Sequence, residues 1–184
     1  MMSMYDDVEK ILYSKESIQK RLQAVAKEMN ALYSDADLPL LICNLKGAFM
    51  FLADLVRYLD FRHELDFIET SSYGAGTASS GDVRFLLDVG ESITDRNVII
   101  VEDIVDSGVT LSCILERFEA RHARSVRVAA LLNKPSRREI EVPIDFCGFV
   151  VPNEFVIGYG LDYDQQYRNL PFIGVLKPAV YQGS

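Results

Sequence analysis

The chain has 184 residues, 49% hydrophobic and 25% charged, which suits one globular domain with a substantial core and excludes a disordered or fibrous chain. With 27 acidic against 19 basic residues the formal net charge is −8, a field that argues against nucleic acid as a partner while leaving room for a local basic pocket. Cys43, Cys113 and Cys147 are scattered without Cys-x-x-Cys spacing, and His63 and His122 stand apart, which argues against a disulfide framework or a zinc site.

In chain order, Met1 to Asp7 carries neither the basic region nor the apolar run of a signal peptide, so the expected location is the cytoplasm. Ser14 is placed to cap a helix running to about Tyr33, with Ile18, Leu22, Val25, Met29 and Leu32 on one face. Asp35-Ala36-Asp37 breaks it, Pro39 to Cys43 reads as the first buried strand, and Leu45-Lys46-Gly47 closes that strand. A second helix, Ala48 to about Leu59, is apolar on nearly every side through Phe49, Met50, Phe51, Leu52, Leu55 and Val56. It must be covered on more than one face, either by a homo-oligomer interface or by deep burial in the monomer. Its densest apolar run, Ala48 to Ala53, falls far short of a bilayer span, so no membrane is expected.

Leu65 to Ile68 follows as a strand, and Val83 to Leu87 is expected to pair back on it as a hairpin. Between them Thr70 to Gly81, rich in Ser and Gly, reads as a lid rather than a plain connection. Val98 to Val101 is a β-branched run that needs cover on both faces, and is read as a central strand ending abruptly at Glu102-Asp103. Asp106 and Ser107-Gly108-Val109-Thr110 then lead into a helix with Leu111, Ile114, Leu115 and Phe118 on one face. Val126 to Leu132 is another buried strand, ending at Asn133-Lys134-Pro135. From Pro143 the texture changes to short segments, Ile144 to Val150, Pro152 to Gly160 and Phe172 to Leu176. The alternation predicts an α/β fold, a mostly parallel sheet flanked by helices, with a small C-terminal cap over the carboxyl edge of the sheet.

The chemistry gathers where β-structure gives way to helix near Asp106, the place where open α/β sheets bind ligands. A Ser-Gly-Val-Thr turn opening a helix offers backbone N–H groups, hydroxyls and the positive dipole end, a phosphate cradle. Neither a Walker A loop nor a Gly-x-Gly-x-x-Gly fingerprint is present, and small residues also cap ordinary helices. The consecutive carboxylates Glu102 and Asp103 narrow the reading, because adjacent like charges need compensation and Mg²⁺ or a sugar diol supplies it.

Val101-Glu102-Asp103-Ile104-Val105-Asp106-Ser107-Gly108-Val109-Thr110 resembles the phosphoribosyl-pyrophosphate-binding motif of type I phosphoribosyltransferases, and nearly the whole chain is similar to the hypoxanthine-guanine phosphoribosyltransferases. Leu45-Lys46-Gly47 resembles the pyrophosphate-binding loop of that family, where a non-proline cis peptide is expected before the lysine. Ser72-Tyr73-Gly74 is similar to the signature of its catalytic lid. Asn133-Lys134-Pro135 and Val151 to Tyr163 resemble its purine-binding segments. Two positions depart from some relatives: Val109 stands where they carry a lysine, and Glu154 where they carry a basic residue.

The resemblance implies the type I phosphoribosyltransferase fold as a single domain over 1–184, with a core of about 36–140 and a hood from the N-terminal segment and about 141–184. It implies transfer of the phosphoribosyl group of phosphoribosyl pyrophosphate to N9 of hypoxanthine and guanine in purine salvage, with Mg²⁺. Glu102 and Asp103 are then expected to hold the ribose hydroxyls directly or through the metal, with Asp162 as a further metal ligand. Asp106 is expected to act as general base toward purine N7, and Ser107, Gly108, Val109 and Thr110 to wrap the 5′-phosphate. Lys46, Gly47 and Arg168 would bind pyrophosphate. Lys134 would donate to purine O6 and Phe155 stack on the base, with backbone groups of Val156 and Asp162 reading its edge and Ser72 and Tyr73 in the lid. A homodimer or homotetramer is expected. A xanthine- or pyrimidine-specific relative, and a non-catalytic phosphoribosyl-pyrophosphate sensor acting on nucleic acid, are the alternatives; the chain has no basic face for the latter.

Overall fold

The computed structural model describes residues 3–72 and 83–182. In chain order its elements are β1 (Val8–Tyr13), α1 (Lys15–Asn30), β2 (Leu40–Leu45), α2 (Phe49–Leu55), β3 (Glu64–Ser72), β4 (Val83–Leu87), β5 (Asn97–Val105), α3 (Val109–Glu119), β6 (Ser125–Asn133), β7 (Phe146–Val150), β8 (Val156–Ile157), β9 (Ile173–Leu176) and α4 (Pro178–Tyr181). Among the described residues these form a six-stranded sheet of order β4-β3-β2-β5-β6-β7 and a three-stranded sheet of order β1-β9-β8. The large sheet is parallel except for the β3–β4 hairpin. The expected α/β fold with a small cap is therefore the one observed.

The run Val98 to Val101 sits at the centre of the large sheet with no exposed surface. Alternation divides it: Val98 and Ile100 pack with Leu111, Ile114, Leu115 and Phe118 of α3, whereas Ile99 and Val101 face Ile18, Leu22 and Phe51 of α1 and α2. Strand β5 does not stop at the acids as the sequence suggested. It continues to Val105 because β6 keeps pairing with it, Glu102 opposite Ala130 and Val105 opposite Asn133, while β2 pairs only as far as Val101. The sheet thus opens on one side of β5 at Glu102.

Three boundaries also differ. Ser14 caps α1 by accepting from the Ser17 N–H, but the helix ends at Asn30 and leaves Leu32 outside the apolar face, 47% exposed. Helix α2 stops at Leu55 and passes into a 3-10 turn, Val56–Tyr58; it buries Phe51, Leu52 and Leu55 in the monomer and leaves Phe49 39% exposed. Strand β7 joins the large sheet, so the core sheet runs past residue 140.

The cap is built from both ends of the chain, since β1 pairs with β9. No strand was read before Ser14, because β1 carries Glu9 and Lys10 on an exposed edge and shows no clear alternation. The cap is fastened to the core by Tyr13, whose ring stacks on Phe149 at 3.9 Å and whose hydroxyl donates to the Val150 carbonyl at 2.9 Å. No helix among the described residues is long and apolar enough to cross a membrane.

Helix α3, which opens from the Ser107-Gly108 turn, is tied at its other end to the segment after β4. Arg117 lies 2.5 Å from Asp88 Oδ2, and Arg121 donates to both Asp88 oxygens. The Arg121 hydrogen bonds, opposed by burial and helped by Arg117 and the Val89 N–H, hold the Asp88 carboxyl down to about 2. A depressed carboxylate stabilises the fold above its unfolded value, about 3.9, and loses that stabilisation as the pH falls through its folded value. Asp88→Asn is expected to lower the melting temperature at pH 7 by about 3–6 °C, after discounting for partial exposure. Thermal unfolding should show the gap to the parent shrinking below pH 4; equal melting at pH 7 would mean the cluster is merely solvated.

Candidate active site

A cavity of about 200 Å³ opens at the carboxyl ends of the central strands, lined by Asn44, Glu102, Asp103, Asp106, Ser107 and Thr110 among others. This is the crevice where open α/β sheets take ligands. Alternation along β5 gives its two acids different surroundings. Glu102 is 5% exposed and accepts from Asn44 Nδ2 at 3.1 and 3.3 Å, and Asn44 in turn hydrogen-bonds Thr70 at 3.1 Å. Thr70, Asn44 and Glu102 thus form a polar row across β3, β2 and β5. Burial, then the Asp103 charge, pushes the Glu102 carboxyl well above the usual range against the Asn44 hydrogen bond.

Asp103 turns toward the loop after β2. A β-carbon at Gly47 would lie 1.4 Å from Asp103 Oδ2, so only glycine lets this carboxylate approach the loop backbone. The Leu45–Lys46 peptide is cis, as the motif led one to expect, and the Lys46 side chain is exposed. Gly160, at φ +102°, packs against the Gly47 carbonyl, which a β-carbon there would approach to 2.1 Å. Arg168 donates to the Gly160 carbonyl at 2.8 Å and pairs with Asp162 at 2.9 Å. Burial pushes Asp103 up to about 6, partly offset by the Ile104 and Asp103 N–H groups and by Arg168.

The turn expected to cradle phosphate is braced from behind. Gly108 takes φ +86° at the start of α3, where a β-carbon would meet the Ile140 carbonyl at 2.2 Å. The Ser107 carbonyl accepts from the N–H groups of Glu139 and Ile140 at 2.8 and 3.0 Å. Beneath the loop, Arg138 donates to Asn133 Oδ1 and reaches the Val105 carbonyl at 3.5 Å, leaving Nη1 buried without a partner among the described residues. Ser107, Gly108 and Thr110 line the cavity at the start of α3, where the helix dipole favours an anion, with the Val109 N–H already donating to Ser107 Oγ at 3.3 Å. Val109 lies at the first position of α3.

Asp106 stands between cradle and crevice. Its Oδ1 is buried and has no partner among the described residues, while Oδ2 lies 3.5 Å from Arg137 Nη1. Lys134 is not the solvated strand end its position suggests: it is 6% exposed and donates from Nζ to the Glu154 carbonyl at 2.9 Å. Phe155 is 38% exposed rather than a core ring, and Val156 is buried, offering only backbone to a ligand. Ser72 closes β3, while Tyr73 and the rest of the expected lid to Gly81 lie outside the described residues.

Asn44, Arg137, Arg138 and Gly160 escaped the sequence reading. Asn44 was visible as the one polar residue ending the apolar run Leu40 to Cys43, and Gly160 as half of a Gly-Tyr-Gly turn. The two arginines carried no such signal. For a metal, no group of three or more His, Cys, Asp or Glu among the described residues forms a closed cage. Mg²⁺ takes one or two carboxylates with substrate oxygens and water, and the half-buried Asp103, within the electrostatic reach of Asp162, fits that open arrangement.

The comparisons agree with this geometry. A family model for the phosphoribosyl transferase domain matches residues 10–164. The hypoxanthine-guanine phosphoribosyltransferase of Bacillus subtilis (strain 168) is 50% identical over 179 residues, covering 97% of this chain and 99% of that protein. A hypoxanthine-guanine-xanthine phosphoribosyltransferase of Tritrichomonas foetus is 44% identical, covering 97% of each. The crystal structure of a hypoxanthine phosphoribosyltransferase from Staphylococcus aureus superposes with a TM-score of 0.92 at 40% identity over 98% of each chain. Matched by a family model over most of its length and by near full-length relatives in sequence and fold, the chain belongs to the hypoxanthine-guanine phosphoribosyltransferases of the type I phosphoribosyltransferase family.

Proposed function

We propose that the chain transfers the phosphoribosyl group of phosphoribosyl pyrophosphate to N9 of hypoxanthine and guanine, forming IMP and GMP with release of pyrophosphate in purine salvage. The observation that carries the residue-level mechanism is Asp106 Oδ1, a buried carboxylate oxygen without a partner among the described residues at the mouth of the cradle. Buried acceptors are normally satisfied, so one left open beside a ligand cavity is suited to take a proton from the ligand. As purine N9 attacks ribose C1 and the bond to pyrophosphate breaks, Asp106 accepts the N7 proton.

The other roles follow from position. Ser107 to Thr110 bind the 5′-phosphate through the start of α3. Glu102, oriented by Asn44, and Asp103 hold the ribose hydroxyls, and the negative charge of Asp103 favours the oxocarbenium character at C1. Lys46, Gly47 and Arg168 receive the pyrophosphate. Glu102 or Asp103 on the ribose side and Asp162 near Arg168 would hold Mg²⁺, which would supply charge neutralisation for the leaving group. Lys134 donates to purine O6, Phe155 stacks on the base, the backbone at Val156 and Asp162 reads its edge, and Ser72 and Tyr73 belong to the lid that excludes water.

The functional unit is a homodimer or homotetramer, with the exposed Phe49 of α2 as part of the covered face. Cys43 and Cys147 are thiols, which suits the reducing cytoplasm. Incubation with Mg²⁺, phosphoribosyl pyrophosphate and each of hypoxanthine, guanine, xanthine, adenine and uracil tests the reading. Nucleotide is expected from hypoxanthine and guanine and not from adenine or uracil. No nucleotide from any 6-oxopurine overturns it, and faster turnover of xanthine than of hypoxanthine would move the assignment to a xanthine-preferring enzyme.

A further inference from the structure

Phe155 is held by aromatic neighbours rather than by the core. Its ring is 38% exposed, yet two tyrosines fix its plane: Tyr181 of α4 lies against one face, with centroids 5.1 Å apart and planes 26° apart, and Tyr163 meets it edge-on at 5.6 Å and 89°. Tyr163 and Tyr181 also touch at 6.4 Å, closing a three-ring cluster. The cluster joins three parts of the chain: the base-stacking segment, the residue after Asp162, and the C-terminal helix. The backbone makes a parallel tie, since the Leu176 N–H donates to the Phe155 carbonyl at 2.9 Å. Helix α4 is itself anchored to the N-terminal segment, the Lys177 N–H donating to the Asp7 carbonyl at 2.9 Å and Lys177 Nζ to the Asp6 carbonyl.

We propose that Tyr181 is a positioning residue for the purine, stacked on the far face of Phe155 so that the opposite face is held flat for the base. The proposal rests on the reading of Phe155 as the base-stacking residue. An exposed phenylalanine has a broad χ2 torsion, and a ring free to turn presents its edge as often as its face. A second ring stacked behind it removes that freedom before the base arrives, which lowers the entropic cost of binding. The result is a layered stack of purine, Phe155 and Tyr181, its outer layer supplied by the C-terminal helix. The Tyr181 hydroxyl has no part in the stack, so phenylalanine should replace it.

The test is steady-state kinetics of Tyr181→Ala, Tyr181→Phe and Phe155→Ala, with hypoxanthine and phosphoribosyl pyrophosphate varied in turn and thermal unfolding as a control. Tyr181→Ala is expected to raise the hypoxanthine KM about three- to ten-fold, with the phosphoribosyl pyrophosphate KM and melting temperature close to the parent. Tyr181→Phe should hold the hypoxanthine KM within about two-fold of the parent. An unchanged or lowered hypoxanthine KM in Tyr181→Ala overturns the proposal, a lowered one by showing that the tyrosine occupies the base position instead. A parallel rise in both KM values also overturns it, as general loss of structure. If Phe155→Ala leaves the hypoxanthine KM unchanged, the stacking role of Phe155 itself fails; if only Tyr181→Ala does, Phe155 stands and the positioning role falls.

Discussion

Asp106→Asn is expected to lower kcat by about 10²–10⁴-fold, the usual contribution of a positioned general base, while leaving the affinity for phosphoribosyl pyrophosphate within a few-fold. Asparagine keeps the shape of the side chain, so the cradle formed by Ser107 to Thr110 and braced by Glu139 and Ile140 is undisturbed. What is lost is an anionic oxygen able to take a proton, the buried Oδ1 that has no partner among the described residues. The ion pair with Arg137 explains little of the effect: at 3.5 Å, with that arginine side chain 59% exposed, it is worth at most about 1 kcal/mol. Turnover measured beside calorimetric binding of phosphoribosyl pyrophosphate separates the two roles. If both fall together, Asp106 is a ligand of the sugar phosphate and the proton goes elsewhere.

The buried strand and the phosphate turn were legible in the residues because each has a local cause. A run such as Val98 to Val101 needs cover on both faces wherever it stands, and a Ser-Gly-Val-Thr turn opens a helix by its own capping chemistry. Where β5 ends was not legible, because a strand ends when its neighbour stops pairing; β2 lets go at Val101 and β6 holds on to Val105. That one difference turned an apparent pair of carboxylates into two separate environments, Glu102 beside Asn44 and Asp103 against Gly47. The brace of Arg138 on Val105 joins residues 33 apart in sequence, and nothing local to Pro135-Ser136-Arg137-Arg138 announces it. β1 escaped for the opposite reason: it is a strand at the rim of the cap, with too little burial to impose a period of two. The local elements of the candidate site were thus readable, and the long-range contacts that position its side chains were not.

Lys134 shows how much the aiming matters. The residue is 6% exposed and its ammonium gives one hydrogen bond, to the Glu154 carbonyl at 2.9 Å; it forms no ion pair among the described residues. A buried ammonium with three donors and one neutral acceptor is costly until a further acceptor arrives, and purine O6 is such an acceptor. An amino group at that ring position donates instead, leaving the charge uncompensated, so the proposed role of Lys134 predicts a preference for hypoxanthine over adenine. Lys134→Gln is expected to reduce kcat/KM for hypoxanthine by about 10–100-fold, the range of one hydrogen bond to a charged group, mostly through KM. The KM for phosphoribosyl pyrophosphate should stay within a few-fold. Because an amide oxygen accepts where an ammonium cannot, the preference for hypoxanthine over adenine should narrow in the same variant. Removing the isolated buried charge should also leave the melting temperature equal to the parent or higher. An unaltered hypoxanthine KM together with a lower melting temperature would instead make Lys134 a prop for the Glu154 backbone, and the choice between purines would have to come from the edge contacts at Val156 and Asp162.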